Sequence, residues 1–260
     1  MMKRVAVTAI SAFILFTGHG TAIAGGPFGP PQPVSKEEGG LYTGIGYGYH
    51  EDVYQNGSER VFRQNQVYSH LAYGAKNWEI FGRIGISDLK ISDAFSSTRA
   101  STTTSKNDFE DNWKFFGTLG GKGYYPFTQT FGMGVFMLGS YHFKAFTDRV
   151  SGTQEGAPFT GDLEVANFWD VNFGLGLQAT VPYGIRLYIG PYVYYSEAKI
   201  SLFRDIPGLN SDRQSITVHN RTNVGGFTGI DLPLARGFHL NVEGQYSERF
   251  SFGASVTFSY

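Results

Sequence analysis

The chain has 260 residues, with 35 glycines, 23 phenylalanines, 16 tyrosines and no cysteine, so disulfides and thiolate metal sites are excluded. Its 21 basic and 22 acidic residues leave a net charge of −1, which gives nucleic acid nothing to bind. A length of this order suits one large all-β domain.

Met1 to Ala24 opens with Lys3 and Arg4, runs apolar from Val5 to Phe16 and ends in the small-x-small triplet Ala22-Ile23-Ala24. That pattern reads as a secretory signal peptide, with an apolar part too short to span a bilayer. Cleavage near Gly25 removes two basic residues and no acidic one, so 19 against 22 gives the mature chain a charge of −3. After the signal no run of 18 apolar residues occurs, so no transmembrane helix is expected. Residues 25–40, with Pro27, Pro30, Pro31 and Pro33 among glycines, read as a flexible periplasmic lead into a single domain over residues 41–260.

From Leu41 the chain repeats one pattern. Residues 41–50 alternate Leu41, Thr43, Ile45, Tyr47 and Tyr49 with Gly44, Gly46, Gly48 and His50, a strand with period two. A second strand follows near 61–74 and a third over 78–92, where Trp78, Ile80, Ile84 and Ile86 oppose Glu79, Phe81, Arg83 and Ser87. The Ser/Thr-rich stretch 93–111 reads as a long loop. Residues 113–125 and 131–143 give the fourth and fifth strands, with a second polar connection over 147–166. The sixth strand, 168–181, alternates most strictly, and Pro182-Tyr183-Gly184 turns it into a seventh that ends near Tyr195. After a long connection over 197–214, an eighth strand is read over 216–232, a ninth over 238–246 and a tenth over 250–260.

Connections alternate in length. Those near residues 75, 128, 183 and 235 are short, and those near 55, 102, 156 and 206 are long, as in bacterial membrane barrels with short periplasmic turns and long external loops. Trp78 follows a short turn, whereas Trp113 and Trp169 follow long loops, so the three tryptophans are expected at opposite rims as an aromatic girdle.

In the last stretch, FSFGASVTFSY, Phe250, Phe252, Ala254, Val256, Phe258 and Tyr260 alternate with Ser251, Gly253, Ser255, Thr257 and Ser259. This ending resembles the C-terminal strand of Gram-negative outer-membrane β-barrel proteins, and the whole pattern is similar to the small OmpA-like and porin-like barrels. The resemblance implies that Phe258 and Tyr260 belong to a sorting and assembly signal read by the barrel-assembly machinery. It also implies a barrel set in outer-membrane lipid and lipopolysaccharide, with both termini periplasmic and long loops extracellular. The expected fold is all-β: one transmembrane antiparallel up-and-down β-barrel of about ten strands, with eight or twelve if a weak strand is misread.

Inward positions bring together Glu79, Arg83, Lys122, Arg186, Arg221, Asp231, His239 and Glu243, which are expected to form a lumen charge network, since buried charges persist only when paired or hydrated. Phe81, Phe116, Phe136, Tyr188, Tyr192 and Tyr194 on the same face would fill much of the remaining space and favour a narrow or plugged interior. One arrangement hints at catalysis, because Ser140 and His142 share a face and Asp170 begins the next strand. Outer-membrane lipid hydrolases use a lipid-facing His-x-Ser order instead, so these residues stand as the only catalytic candidates in a protein read as a non-enzyme. The scattered histidines give no metal site, and no cofactor is expected. A structural or surface-interaction barrel, working through its loops on an external partner, is the first reading; a narrow channel for ions or small solutes is the second, and a lipid-modifying hydrolase the third.

Overall fold

The computed structural model describes residues 28–34, 39–56, 59–96, 102–154, 156–205, 212–234 and 237–259. Its strands are β1 (Gly40–Gln55), β2 (Glu59–Ala75), β3 (Trp78–Ile91), β4 (Thr102–Thr104), β5 (Phe109–Pro126), β6 (Phe131–His142), β7 (Phe146–Gln154), β8 (Ala157–Thr180), β9 (Arg186–Asp205), β10 (Asp212–Asn220), β11 (Val224–Pro233), β12 (Phe238–Tyr246) and β13 (Phe250–Ser259).

Ten of these close a ring in the order β1-β2-β3-β5-β6-β8-β9-β11-β12-β13, each antiparallel to its neighbour. β13 returns to β1 through a ladder from Tyr42↔Ser259 to Tyr49↔Phe252, which leaves the ring no open edge. Phe250 to Ser259 is thus the closing strand, and Phe258 sits opposite Phe238 with ring centroids 4.8 Å apart. Tyr260 and residues 1–27, the signal peptide among them, lie outside the described residues.

Large apolar side chains point away from the ring on every wall. Ile45 is 67% exposed, Ile84 61% and Leu119 77%, far more continuous apolar surface than a water-soluble domain carries. On β5 this face runs from Trp113 to Tyr125; at about 3.3 Å per residue and a tilt of about 45° that is roughly 28 Å of height, close to the hydrocarbon thickness of a bilayer. The belt and the closed ring make this a membrane-spanning β-barrel, the only β architecture that satisfies its backbone in lipid. Trp78 and Trp113 are exposed at opposite ends of the belt, and Trp169 is partly covered by Tyr195 at 5.5 Å.

Beyond the belt, at the end away from the short turns, the strands carry on. Register shifts on β5 between Asp111 and Lys114, opposite Leu89 and Ser87 of β3, and on β8 between Ala166 and Trp169, mark this level. Each inserts an extra residue and bends the wall, and Asn167 takes a left-handed φ of 50° to do so. Above them the described parts of the stretches read from sequence as polar loops are folded. β7 forms a hairpin with β8, β10 pairs with the upper part of β9, and β4 adds to β7. They close over an apolar cluster that includes Tyr54, Phe62, Ile91, Phe109, Phe146, Phe159, Leu163, Val165 and Phe168. The eighth strand read from sequence is in fact two. β10 belongs to this head and ends at Asn220, where the side chain donates to the Thr222 carbonyl at 2.6 Å and turns the chain into β11.

Candidate functional site in the lumen

The described part of the N-terminal lead, residues 28–34, lies inside the barrel and not below it. A backbone in a lumen must find partners for its N–H and C=O groups. Prolines at 30, 31 and 33 remove three donors, and the wall serves three of the remaining N–H groups and three carbonyls. The N–H groups of Phe28 and Gly29 donate to the two carboxylate oxygens of Glu243 at 2.8 and 2.9 Å. Lys122 donates to the Pro30 carbonyl at 3.3 Å, and the Gln32 N–H donates to the Gln178 side chain at 3.0 Å. Arg186 donates to the Gln32 and Pro33 carbonyls at 3.3 and 3.4 Å.

Side chains complete the fit. The ring of Phe28, fully buried, stacks on Phe136 at 4.1 Å and meets Tyr192 and Phe227 edge-on at 5.2 Å. Pro31 lies where Cβ atoms on Gly134 and Gly176 would collide with it, at 2.8 and 2.6 Å, so these two glycines make room for the segment. Gly29 turns with φ +75°, beside Lys122. Tyr42, Ala72, Phe81, Leu138, Tyr188 and Tyr194 fill the lumen around it.

The charges at this level form three groups, which the N-terminal segment bridges through its main chain. Arg83 donates to His70 Nδ1 at 3.3 Å, which fixes the proton on Nε2; that nitrogen donates to the Tyr42 hydroxyl at 3.2 Å, and Tyr42 donates to Glu79 at 2.6 Å. Lys122 pairs with Glu79 at 3.8 Å, while Asp231 holds Arg186 at 3.8 Å and His239 at 3.0 Å. Glu243 further accepts from Tyr188 at 2.9 Å and Gln245 at 2.7 Å. Seven of the eight residues read as a lumen network therefore face inward. Arg221 does not: it is exposed in the turn after β10 and pairs with Glu59 and Glu248 at the rim. Parity counted through an assumed continuous strand fails at that turn.

The three catalytic candidates do not assemble as a triad. Ser140 accepts from Thr118 at 3.0 Å and sits opposite Asp170 in the β6–β8 register. His142 instead places Nε2 2.9 Å from Ser87 Oγ and 3.2 Å from Gln64, with Nδ1 3.3 Å from the Phe168 carbonyl. A carbonyl only accepts, so Nδ1 carries the proton and Nε2 accepts. Ser87 is fully buried, and the cavity that His142 helps line is about 30 Å³, room for a water-sized occupant and not for a lipid or sugar. Among the described residues no group of three or more His, Asp or Glu is placed to hold a metal ion.

Outside the membrane the head also carries exposed ion pairs. The Asp93 N–H, and then Lys90, hold the Asp108 carboxyl below its ordinary pKa, and Arg149 does the same for Asp162. Such pairs contribute little to stability individually.

Tyr42, His70 and Gln178 were not among the residues read as the lumen network, and only their contact partners show their part in it. Nothing in the periodicity points to residues 28–34, which lack any alternation.

No protein-family model matches the chain, and no curated protein does. Solved structures do match. The translocator domain of the autotransporter NalP from Neisseria meningitidis is 11% identical, with all of this chain and 95% of that one covered, at a TM-score of 0.46. The outer membrane protease OmpT from Escherichia coli is 11% identical over 85% of this chain and 97% of its own, at 0.48. The attachment invasion locus protein Ail of Yersinia pestis is 12% identical over 85% and 98%, at 0.29. At such scores none of them speaks to the site. The closed ring and its belt rest on this chain's own geometry, which is that of a membrane-spanning β-barrel.

Proposed function

We propose that the protein is a sealed outer-membrane barrel that acts through its head, in a structural or surface-interaction role, and does not conduct. The observation that carries this reading is the filling of the lumen at two levels. Phe28, Phe136, Tyr192 and Phe227 pack together at the level of the belt, and Phe62, Phe109, Phe146, Phe159 and Phe168 pack across the head above it. A channel at either level would need these buried rings to leave contacts they already make.

In this reading the short turns face the periplasm and the head faces the exterior. Outer-membrane lipid and lipopolysaccharide surround the belt, the barrel-assembly machinery inserts the chain, and an external partner meets the exposed strands of the head. The ladder between β8 and β7 and the apolar core beneath make the head a rigid surface, as suits recognition.

Single-channel recording on refolded protein tests the proposal. No steps above bare bilayer are expected, and stable steps in the full-length protein would overturn it. For the hydrolase reading, Ser140→Ala and Ser87→Ala are both expected to leave membrane lipid composition unchanged when the proteins are expressed in a Gram-negative host. Loss of a lipid product in either variant would restore that reading.

A further inference from the structure

The wall holds the N-terminal segment as a binding site holds a ligand. Its polar contacts come from β5, β8, β9 and β12, and nearly all go to main-chain atoms of the segment: two N–H groups on Glu243, one on Gln178, and carbonyls on Lys122 and Arg186. One side chain is read by its size and shape, the Phe28 ring in the box of Phe136, Tyr192 and Phe227. One is read by a hydrogen bond, Gln32, whose Oε1 accepts from Gln178 at 3.1 Å. Gly134 and Gly176 leave the slot for Pro31.

We propose that the lower half of the lumen is an exchangeable peptide site, specific for a short segment in which an aromatic residue is followed by glycine and then by a proline-rich run with one glutamine. The chain's own residues 28–34 are its resident occupant. The chemistry favours such a peptide because proline brings a backbone of restricted freedom and no N–H that must find a partner in the lumen. The carboxylate of Glu243 selects a residue pair with both N–H groups free, which excludes proline at the Phe28 and Gly29 positions. Arg186 lies partly exposed at the short-turn end, where residues 32 and 33 sit, so a peptide would enter from that side.

This inference stands apart from the role of the head, since it concerns the opposite end of the molecule. The test uses full-length refolded protein in detergent micelles and a fluorescein-labelled peptide of sequence Gly-Pro-Phe-Gly-Pro-Pro-Gln-Pro-Val, followed by anisotropy. Phe28→Ala weakens the resident segment and leaves every wall residue in place. Its affinity for the labelled peptide is expected to exceed that of the unsubstituted protein at least tenfold, and to fall at least tenfold when alanine replaces phenylalanine in the peptide. Gly29→Ala, which strains the left-handed φ of the segment and leaves the aromatic box intact, is expected to raise affinity in the same direction and serves if the first variant does not fold. Equal binding of the two peptides, or equal affinity in variant and unsubstituted protein, would mean adsorption to the micelle and would overturn the proposal. So would the absence of binding to either variant once its heat-modifiable mobility shows a folded barrel.

Discussion

Gly190→Ala is expected to keep most of the chain from reaching the folded, heat-modifiable form. Gly190 faces inward on β9, and a Cβ there would lie 1.8 Å from the Leu175 carbonyl oxygen, 2.8 Å from its carbon and 2.9 Å from Gly176 Cα. All three are backbone atoms of β8, so no rotamer change relieves the clash. Separating the strands is the only remedy, at a point where the ladder is already interrupted between Gly174↔Tyr192 and Leu177↔Ile189 and where Pro191 has no N–H to give. Overpacking usually costs about 1–3 kcal/mol, and contact with fixed backbone puts this case at about 3 kcal/mol or more. Gly244→Ala is the matched control. It lies on the lipid-facing side of β12, and a Cβ there would approach nothing closer than the Ser251 carbonyl at 3.8 Å. Urea unfolding in lipid vesicles is expected to show a change within about 0.5 kcal/mol for the control. Equal stability of the two variants would contradict the close approach of β8 and β9.

Phe28→Ala gives the second large effect. A buried phenylalanine cut to alanine typically costs about 3–5 kcal/mol, the lost transfer term plus the cavity left behind. Here the loss has a ceiling, because the segment is joined to the barrel only through the start of β1: once its docking free energy is gone, it leaves the lumen and no further stability is lost. A drop of about 3 kcal/mol in unfolding free energy is therefore expected, without loss of the ten-stranded ring. Glu243→Gln, which keeps the side chain's shape but removes the charge that two main-chain N–H groups and Tyr188 address, is expected to cost about 1.5–3 kcal/mol in the same assay. A segment hanging free in the periplasm would make Phe28→Ala nearly neutral and would leave Glu243→Gln to act only through Tyr188 and Gln245.

These two variants bear on the part of the molecule that sequence reading handled worst. The ring was legible because lipid on one side and a filled lumen on the other impose period two on every wall, as in the stretch from Phe250 to Ser259. The same parity placed Glu79, Lys122, Asp231 and Glu243 inward. It misplaced Arg221, because a side-chain cap by Asn220 breaks the strand where no glycine or proline announces it. Polar composition concealed the head, since each of its strands buries one face only: Phe146 and Val150 are covered, while Thr147 and Ser151 are exposed. Residues 28–34 were misread for a physical reason as well. Proline and glycine lower a segment's ability to form regular structure, but the missing N–H groups that do so are what allow the segment to lie in a lumen.

Because the chain has no cysteine, the closure of the lumen by its own N-terminal segment can be tested with one introduced pair. A Cβ on Gly134 would stand 2.8 Å from the Pro31 Cβ, close enough that a small relaxation reaches the roughly 3.5–4.5 Å of a disulfide. In the Pro31→Cys, Gly134→Cys double variant, the folded barrel is expected to form this bond on mild oxidation and to lose both thiols to maleimide labelling. Two free thiols in a folded barrel, labelled as fast as those of the unfolded chain, would place the segment outside the lumen and contradict the account.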